Sequence, residues 1–121
     1  MKKWKIAFYV VTGLLSLMML ASSIGFYLMQ TETVKDIFET LGFPTFIVIP
    51  LAFAKIAGVI VILTRFGGPL VEWAYAGFFF DFVLAASAHI NVGDGEEMGA
   101  FIALVLLAGS YYLSKHAFAA E

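Results

Sequence analysis

The chain has 121 residues, of which 62% are hydrophobic and only 13% are charged, whereas soluble domains are about 45–50% apolar and about 25% charged. A soluble protein of this length has too little interior to bury so much apolar surface, so the composition excludes it and predicts one membrane domain over residues 1–121. The net charge of -2 gives no basic surface for nucleic acid, and the absence of cysteine excludes disulfides and thiolate metal ligands.

Four apolar segments are long enough to cross a bilayer as helices. The first, residues 6–29, contains no charge and would extend about 36 Å, against a hydrocarbon thickness of about 30 Å. A cleaved signal peptide is the alternative for this segment, but the apolar stretch is longer than the roughly 7–15 residues of a signal core. The other segments are residues 45–64, 70–90 and 98–114. The short loops between them predict an antiparallel bundle.

Residues 30–44, between the first two spans, are polar and amphipathic. Thr33 with Asp36 three residues later is typical of a capping box. Apolar residues recur at helical spacing at Val34, Ile37, Phe38 and Leu41. The expected fold class is therefore all-α, a bundle of four transmembrane helices with a short amphipathic helix at the membrane interface.

Basic residues are divided unequally between the two faces of this bundle. Five of them share the face that holds both chain ends: Lys2, Lys3, Lys5, Arg65 and Lys115. The opposite face carries only Lys35. Because cytoplasmic loops are enriched in lysine and arginine, we expect both termini on the cytoplasmic side.

Two ionisable residues interrupt the spans. Lys55 lies near the middle of the second span and Asp81 near the middle of the third, and their depths match because these spans run antiparallel from the turn at residues 65–69. A charge at a helix centre costs roughly 2.5–3.5 kcal/mol on insertion scales, so we predict an ion pair. Such a pair is either a functional site or a structural element that fixes helix register, and the sequence leaves both readings open.

Other polar residues are expected along the same interior. His89 lies two turns beyond Asp81, at the outer mouth of that surface, while Ser22 and Ser23 belong to a stripe of small residues in the first span. No second histidine stands at helical spacing from His89, so no metal site is expected. No nucleotide motif occurs, and nothing combines a nucleophile, a base and oxyanion donors, which favours a protein without self-contained catalytic activity.

Four segments of the chain resemble the DoxX-like membrane proteins. They are residues 41–44 (LGFP), 54–58 (AKIAG), 72–77 (EWAYAG) and 85–89 (AASAH). The resemblance covers essentially the whole chain and implies a four-helix fold in a bacterial inner membrane. The family takes its name from a subunit associated with thiosulfate:quinone oxidoreductase. Some relatives are linked to quinone or oxidative stress, and a more distant branch resembles a chaperone for membrane receptors.

Three functional hypotheses follow. In the first, Lys55 and Asp81, with Ser22, Ser23 and His89, bind a quinone or a lipid-like molecule, as in an accessory subunit of a redox system. A quinone is the one cofactor suggested, with no metal and no nucleotide. In the second, the pair is purely structural, and the protein acts in membrane assembly, as a chaperone or as a partner of its own copies or of another membrane protein. The third, proton or solute transport, is disfavoured because few further polar residues extend toward the cytoplasmic face.

Overall fold

A computed structural model describes residues 2–118 of the chain. Residue 1 and residues 119–121, which the expected single domain 1–121 includes, lie outside the described residues. The elements in chain order are α1 (Lys2–Leu20), a π-helical segment (Ala21–Leu28), α2 (Thr31–Leu41), a 3-10 turn (Thr45–Ile47), α3 (Val48–Thr64), α4 (Gly68–Val92) and α5 (Met98–Ala117). The described residues contain no strand, and the predicted all-α class is confirmed.

Four helical segments are long and apolar enough to cross a membrane. They are Lys2–Leu28, Thr45–Thr64, Gly68–Val92 and Met98–Ala117, and they match the four predicted spans with some ends extended. Helix α4 begins two residues before the predicted start at residue 70, because Pro69 fits the first turn of a helix, where its missing N–H costs nothing. It continues to Val92, where Gly93 adopts a left-handed conformation (φ 75°) and ends the helix.

The four long helices form a ring in which each contacts two neighbours. Helix α1 packs against α5 and, mainly through the π-helical segment, against α3, while α4 lies between α3 and α5. We call the end with residues 2–5, 65–67 and 115–117 the basic end, and the end with α2 and residues 93–97 the acidic end. The interior is filled by side chains from all four helices, among them Phe8, Leu15, Val59, Phe82 and Leu107.

Large apolar side chains also cover the outside of the bundle. Leu17, Phe80 and Val105 are each more than half exposed, and such residues occur on every long helix. Water would penalise an apolar surface of this extent, whereas lipid solvates it. The chain is therefore built for a lipid bilayer.

Helix α2 closes part of the acidic end. Its Val34 and Phe38 are buried and pack with Val48, at the start of α3. The predicted capping box at Thr33 is wrong, because the helix begins two residues earlier, where the Thr31 hydroxyl donates to the carbonyl of Tyr27 at 2.8 Å. This bond ties the start of α2 to the end of the π-helical segment.

Helices α3 and α4 approach closely at Gly58. A Cβ atom at this position would lie 2.8 Å from the ring of Phe78, which is buried and stacked on Phe82. The absence of a side chain at Gly58 thus sets the distance between the two helices. Gly58 is three residues after Lys55, and Phe78 is three residues before Asp81, so this contact lies one turn from the predicted ion pair.

Candidate functional site

The candidate site is centred on α3, which packs against both α4 and the π-helical segment. The structure brings Lys55 and Asp81 together, with Lys55 Nζ 3.8 Å from Asp81 Oδ2. This distance exceeds the 2.7–3.2 Å of a direct N–H···O bond, so the contact is one of charge. The Lys55 side chain is 8% exposed and that of Asp81 is 20% exposed. The carboxylate therefore faces the edge of the bundle and the ammonium faces its interior.

Tyr27 completes the surroundings of the ammonium. Lys55 Nζ donates to the Tyr27 hydroxyl at 3.1 Å and lies 4.2 Å from the centroid of the same ring. The phenol thus supplies a hydrogen-bond acceptor and a negative ring face to one cation. Tyr27 was not among the residues predicted from the sequence, although a tyrosine inside an apolar span needs a partner for its hydroxyl, and that need is a usable signal.

The π-helical segment contains Tyr27 and two further polar residues, Ser22 and Ser23. Residues 21–28 have a wider backbone turn, as in the bond from Met29 N to the carbonyl of Ile24 at 3.2 Å. Ser22 is partly buried, whereas Ser23 is fully buried and its Oγ has no hydrogen-bond partner within residues 2–118. Buried polar atoms are nearly always paired, and π-helical turns occur frequently at functional sites.

His89 belongs to a different cluster, at the acidic end. Its Nδ1 lies 2.8 Å from Asp94 Oδ2 and 3.1 Å from Oδ1, while the backbone N–H of Glu96 donates to Asp94 at 2.9 Å. The Glu96 N–H, followed by the His89 ring, holds the pKa of Asp94 below its ordinary value. Because His89 is about 12 Å along α4 from Asp81, the structure does not bring it to the ion pair.

Three hydroxyl groups form a second buried cluster, nearer the basic end. Ser110 Oγ lies 2.6 Å from Thr12 Oγ1 and 2.7 Å from the Tyr75 hydroxyl, so one serine links α1, α4 and α5. Ser114 is also buried at this end, and Ser16 is buried near the middle of the first span. More buried polar groups therefore lie between the ion pair and the basic end than the sequence pattern indicated.

The arrangement around Lys55 places polar groups in an apolar surrounding. It consists of an ammonium, a carboxylate and a phenol, a set that donates and accepts hydrogen bonds but contains no complete catalytic constellation. Within the part of the chain that the structure describes, no cluster of three or more histidine, cysteine or acidic side chains could hold a metal ion.

Four spanning helices with a charge pair between two of them define a multi-pass helical membrane protein with an intramembrane polar site. Comparison with protein families makes the assignment more specific. The model of the DoxX-like family matches residues 10–110, and the chain belongs to this family. Searches of curated proteins and of solved structures found no match. The matched region includes the ion pair, Tyr27, Ser23 and His89.

Proposed function

We propose that this DoxX-like protein binds a quinone or a lipid-like small molecule between α3, α4 and the π-helical segment. One observation carries the proposal: the Ser23 hydroxyl is fully buried and has no partner among the described residues, in a segment that also supplies Tyr27 to Lys55. An unpaired buried hydroxyl costs about 1–3 kcal/mol, which a ligand atom in hydrogen-bond range would recover.

The chemistry of the site favours a ligand with a carbonyl or similar acceptor. The Lys55 ammonium has three N–H donors, and its contacts with Tyr27 and Asp81 leave one direction for a further bond. A ligand would approach from the side of Asp81, whose side chain is 20% exposed. The apolar remainder of a quinone or lipid would stay in contact with the lipid-facing side chains of the helices. In this role the protein would act as an accessory subunit of a redox system.

A structural role is the second candidate, and one observation favours it. Lys55 already has an acceptor, an aromatic face and a counter-charge from the protein itself. A buried polar cluster with its partners in place can fix helix register without binding anything. The working surface for an assembly partner or a second copy of the chain would then lie elsewhere.

We propose further that residues 1–121 form one domain in a bacterial inner membrane, with both termini cytoplasmic. The excess of lysine and arginine at the basic end supports this orientation. A reporter that fluoresces only in the cytoplasm, fused to the C-terminus, should be bright. If the fusion protein is correctly inserted but does not fluoresce, the C-terminus lies outside the cytoplasm and the proposed orientation is wrong.

The ligand proposal is tested by mass spectrometry of small molecules extracted from protein purified in mild detergent. Stoichiometric quinone or lipid is expected in the native chain and should be lost in Lys55→Met and Ser23→Ala. Ser87→Ala is the matched control, since Ser87 is exposed on α4, and it should keep the ligand. Gel filtration and circular dichroism establish that each variant is folded. Bulk lipid alone in every folded sample would refute the proposal and leave the structural role.

A further inference from the structure

A groove on the lipid-facing surface between α4 and α5 is separate from the ion pair. It encloses about 550 Å³, and its lining includes Tyr75, Ala76 and Phe79 of α4 and Leu107 and Ala108 of α5. The two alanines are small and exposed, so they form a depression between larger neighbours. From Glu72 to Phe80 the groove follows α4 for about 12 Å, from near the basic end toward the middle of the bundle.

The polar groups of this groove are concentrated at one end. The Lys115 ammonium donates to Glu72 Oε1, and the Tyr111 hydroxyl lies 3.4 Å from the same oxygen. Glu72 Oε2 has no partner among the described residues. The side chains of Glu72 and Lys115 are 47% and 54% exposed. A ligand headgroup can therefore reach one negative and one positive group at the same place.

We infer that the groove binds one acyl chain of a phospholipid whose headgroup is phosphoethanolamine. The apolar walls accept the chain, the lipid phosphate pairs with Lys115, and the lipid ammonium donates to Glu72 Oε2. The Glu72–Lys115 pair at the polar end of the groove carries no net charge. The headgroup that complements it is therefore a zwitterion, which carries one positive and one negative charge. An anionic headgroup would bring the same phosphate to Lys115 but has no ammonium for Glu72, and a choline headgroup has no N–H to donate.

The position of the polar end of the groove also fits a lipid whose headgroup lies at the membrane boundary. Trp73 and Tyr112 are largely exposed beside it, and amphipathic aromatic rings settle at the level of the headgroups. Away from this polar end, the Tyr75 hydroxyl is already bonded to Ser110, so a quinone ring deeper in the groove would find no free hydroxyl there.

The experiment is native mass spectrometry of the full chain released from nanodiscs with equal amounts of phosphatidylethanolamine, phosphatidylglycerol and phosphatidylcholine. The native chain should retain one phosphatidylethanolamine at least about tenfold over either competitor, the ratio expected for one charge-assisted hydrogen bond. Glu72→Gln should lose this preference. Ala108→Phe should lose the lipid by filling the groove, whereas Ala57→Phe, on an exposed position of α3, should retain it.

Equal retention of the three lipids by the native chain, or retention of phosphatidylethanolamine by Ala108→Phe, would overturn the inference. The outcome is independent of the site at Lys55, because the groove is lined by α4 and α5, whereas the ion pair joins α4 to α3 and contributes no side chain to the lining. Ala108→Phe should therefore leave a ligand bound near Lys55 in place.

Discussion

Replacing Asp81 by asparagine tests how strongly the intramembrane charges depend on each other. The substitution keeps the shape of the side chain and removes the anion that pairs with Lys55, whose side chain is only 8% exposed. Breaking a buried ion pair costs about 3–5 kcal/mol. The hydrogen bond and ring contact with Tyr27 remain, and cation–π contacts alone contribute about 0.5–2 kcal/mol. We therefore expect a loss of about 2–4 kcal/mol in the free energy of unfolding.

The complementary variants complete a double-mutant cycle. Lys55→Met should cost less than Asp81→Asn, because the charge that it leaves unpaired, on Asp81, is less deeply buried than that of Lys55. The double variant removes both charges and should cost less than the sum of the single variants, with a coupling energy of at least about 1 kcal/mol.

The assay is a titration from mild detergent into sodium dodecyl sulfate, followed by the fluorescence of Trp4 in a Trp73→Phe background. Trp4 stacks on His116 with ring centroids 4.4 Å apart, so its signal depends on the association of α1 with α5. The reasoning would be refuted if the losses in free energy of unfolding of the two single variants simply added up in the double variant. It would also be refuted if Asp81→Asn unfolded within about 0.5 kcal/mol of its parent. The approach of the two charges would then contribute nothing to the fold.

Three further predictions use the same titration or a pH series. Gly58→Ala should cost about 1–3 kcal/mol, because the new Cβ would meet the buried Phe78 ring at 2.8 Å, whereas Gly77→Ala has nothing within 4 Å and should be neutral or slightly stabilising. Tyr27→Phe removes a hydrogen bond to a charged donor but keeps the ring, and should cost about 1.5–3 kcal/mol; an unchanged midpoint would show that the hydroxyl is dispensable. The lowered pKa of Asp94 means that its stabilisation of the loop is complete above the unfolded pKa of about 3.9 and is lost as the pH falls through the lower folded value. Hydrogen exchange should show this loss as a fall in the protection of the loop amides. In Asp94→Asn the protection of these amides should no longer depend on pH in this range.

The positions of the spans could be predicted because length and hydropathy determine them almost alone. The matched depths of Lys55 and Asp81 also follow from simple counting, since the turn at residues 65–69 places the two positions at similar distances from it. Both inferences need only the rise per residue of a helix. They do not require knowledge of which helices are neighbours.

The partner of His89 could not be predicted from helical periodicity. Counting 100° per residue along α4 places His89 near the face of Asp81, but the loop beyond the helix folds back and supplies Asp94 instead. That reversal depends on left-handed backbone conformations at Gly93 and Gly95. A periodic pattern contains no information about a loop outside the helix.

The role of Tyr27 was hidden for a different reason. A π-helical segment has more residues in each turn than an α-helix, so the directions of side chains beyond Ala21 shift relative to those counted from α1. The cluster of Thr12 and Ser110 was hidden because its members are 98 residues apart. Finding it requires knowing that α1 is adjacent to α5.

The two buried polar clusters differ in how completely the protein satisfies them. Around Ser110, each hydroxyl has a partner from another helix, and that cluster stabilises the packing of α1, α4 and α5 without further help. In the π-helical segment, the Tyr27 hydroxyl is bonded to Lys55, but the Ser23 hydroxyl has no partner among the described residues. An alanine in place of Ser23 would fill nearly the same space without the penalty of an unpaired hydroxyl. The contacts within residues 2–118 therefore do not account for a serine at this position, and this is the observation on which the proposed ligand rests.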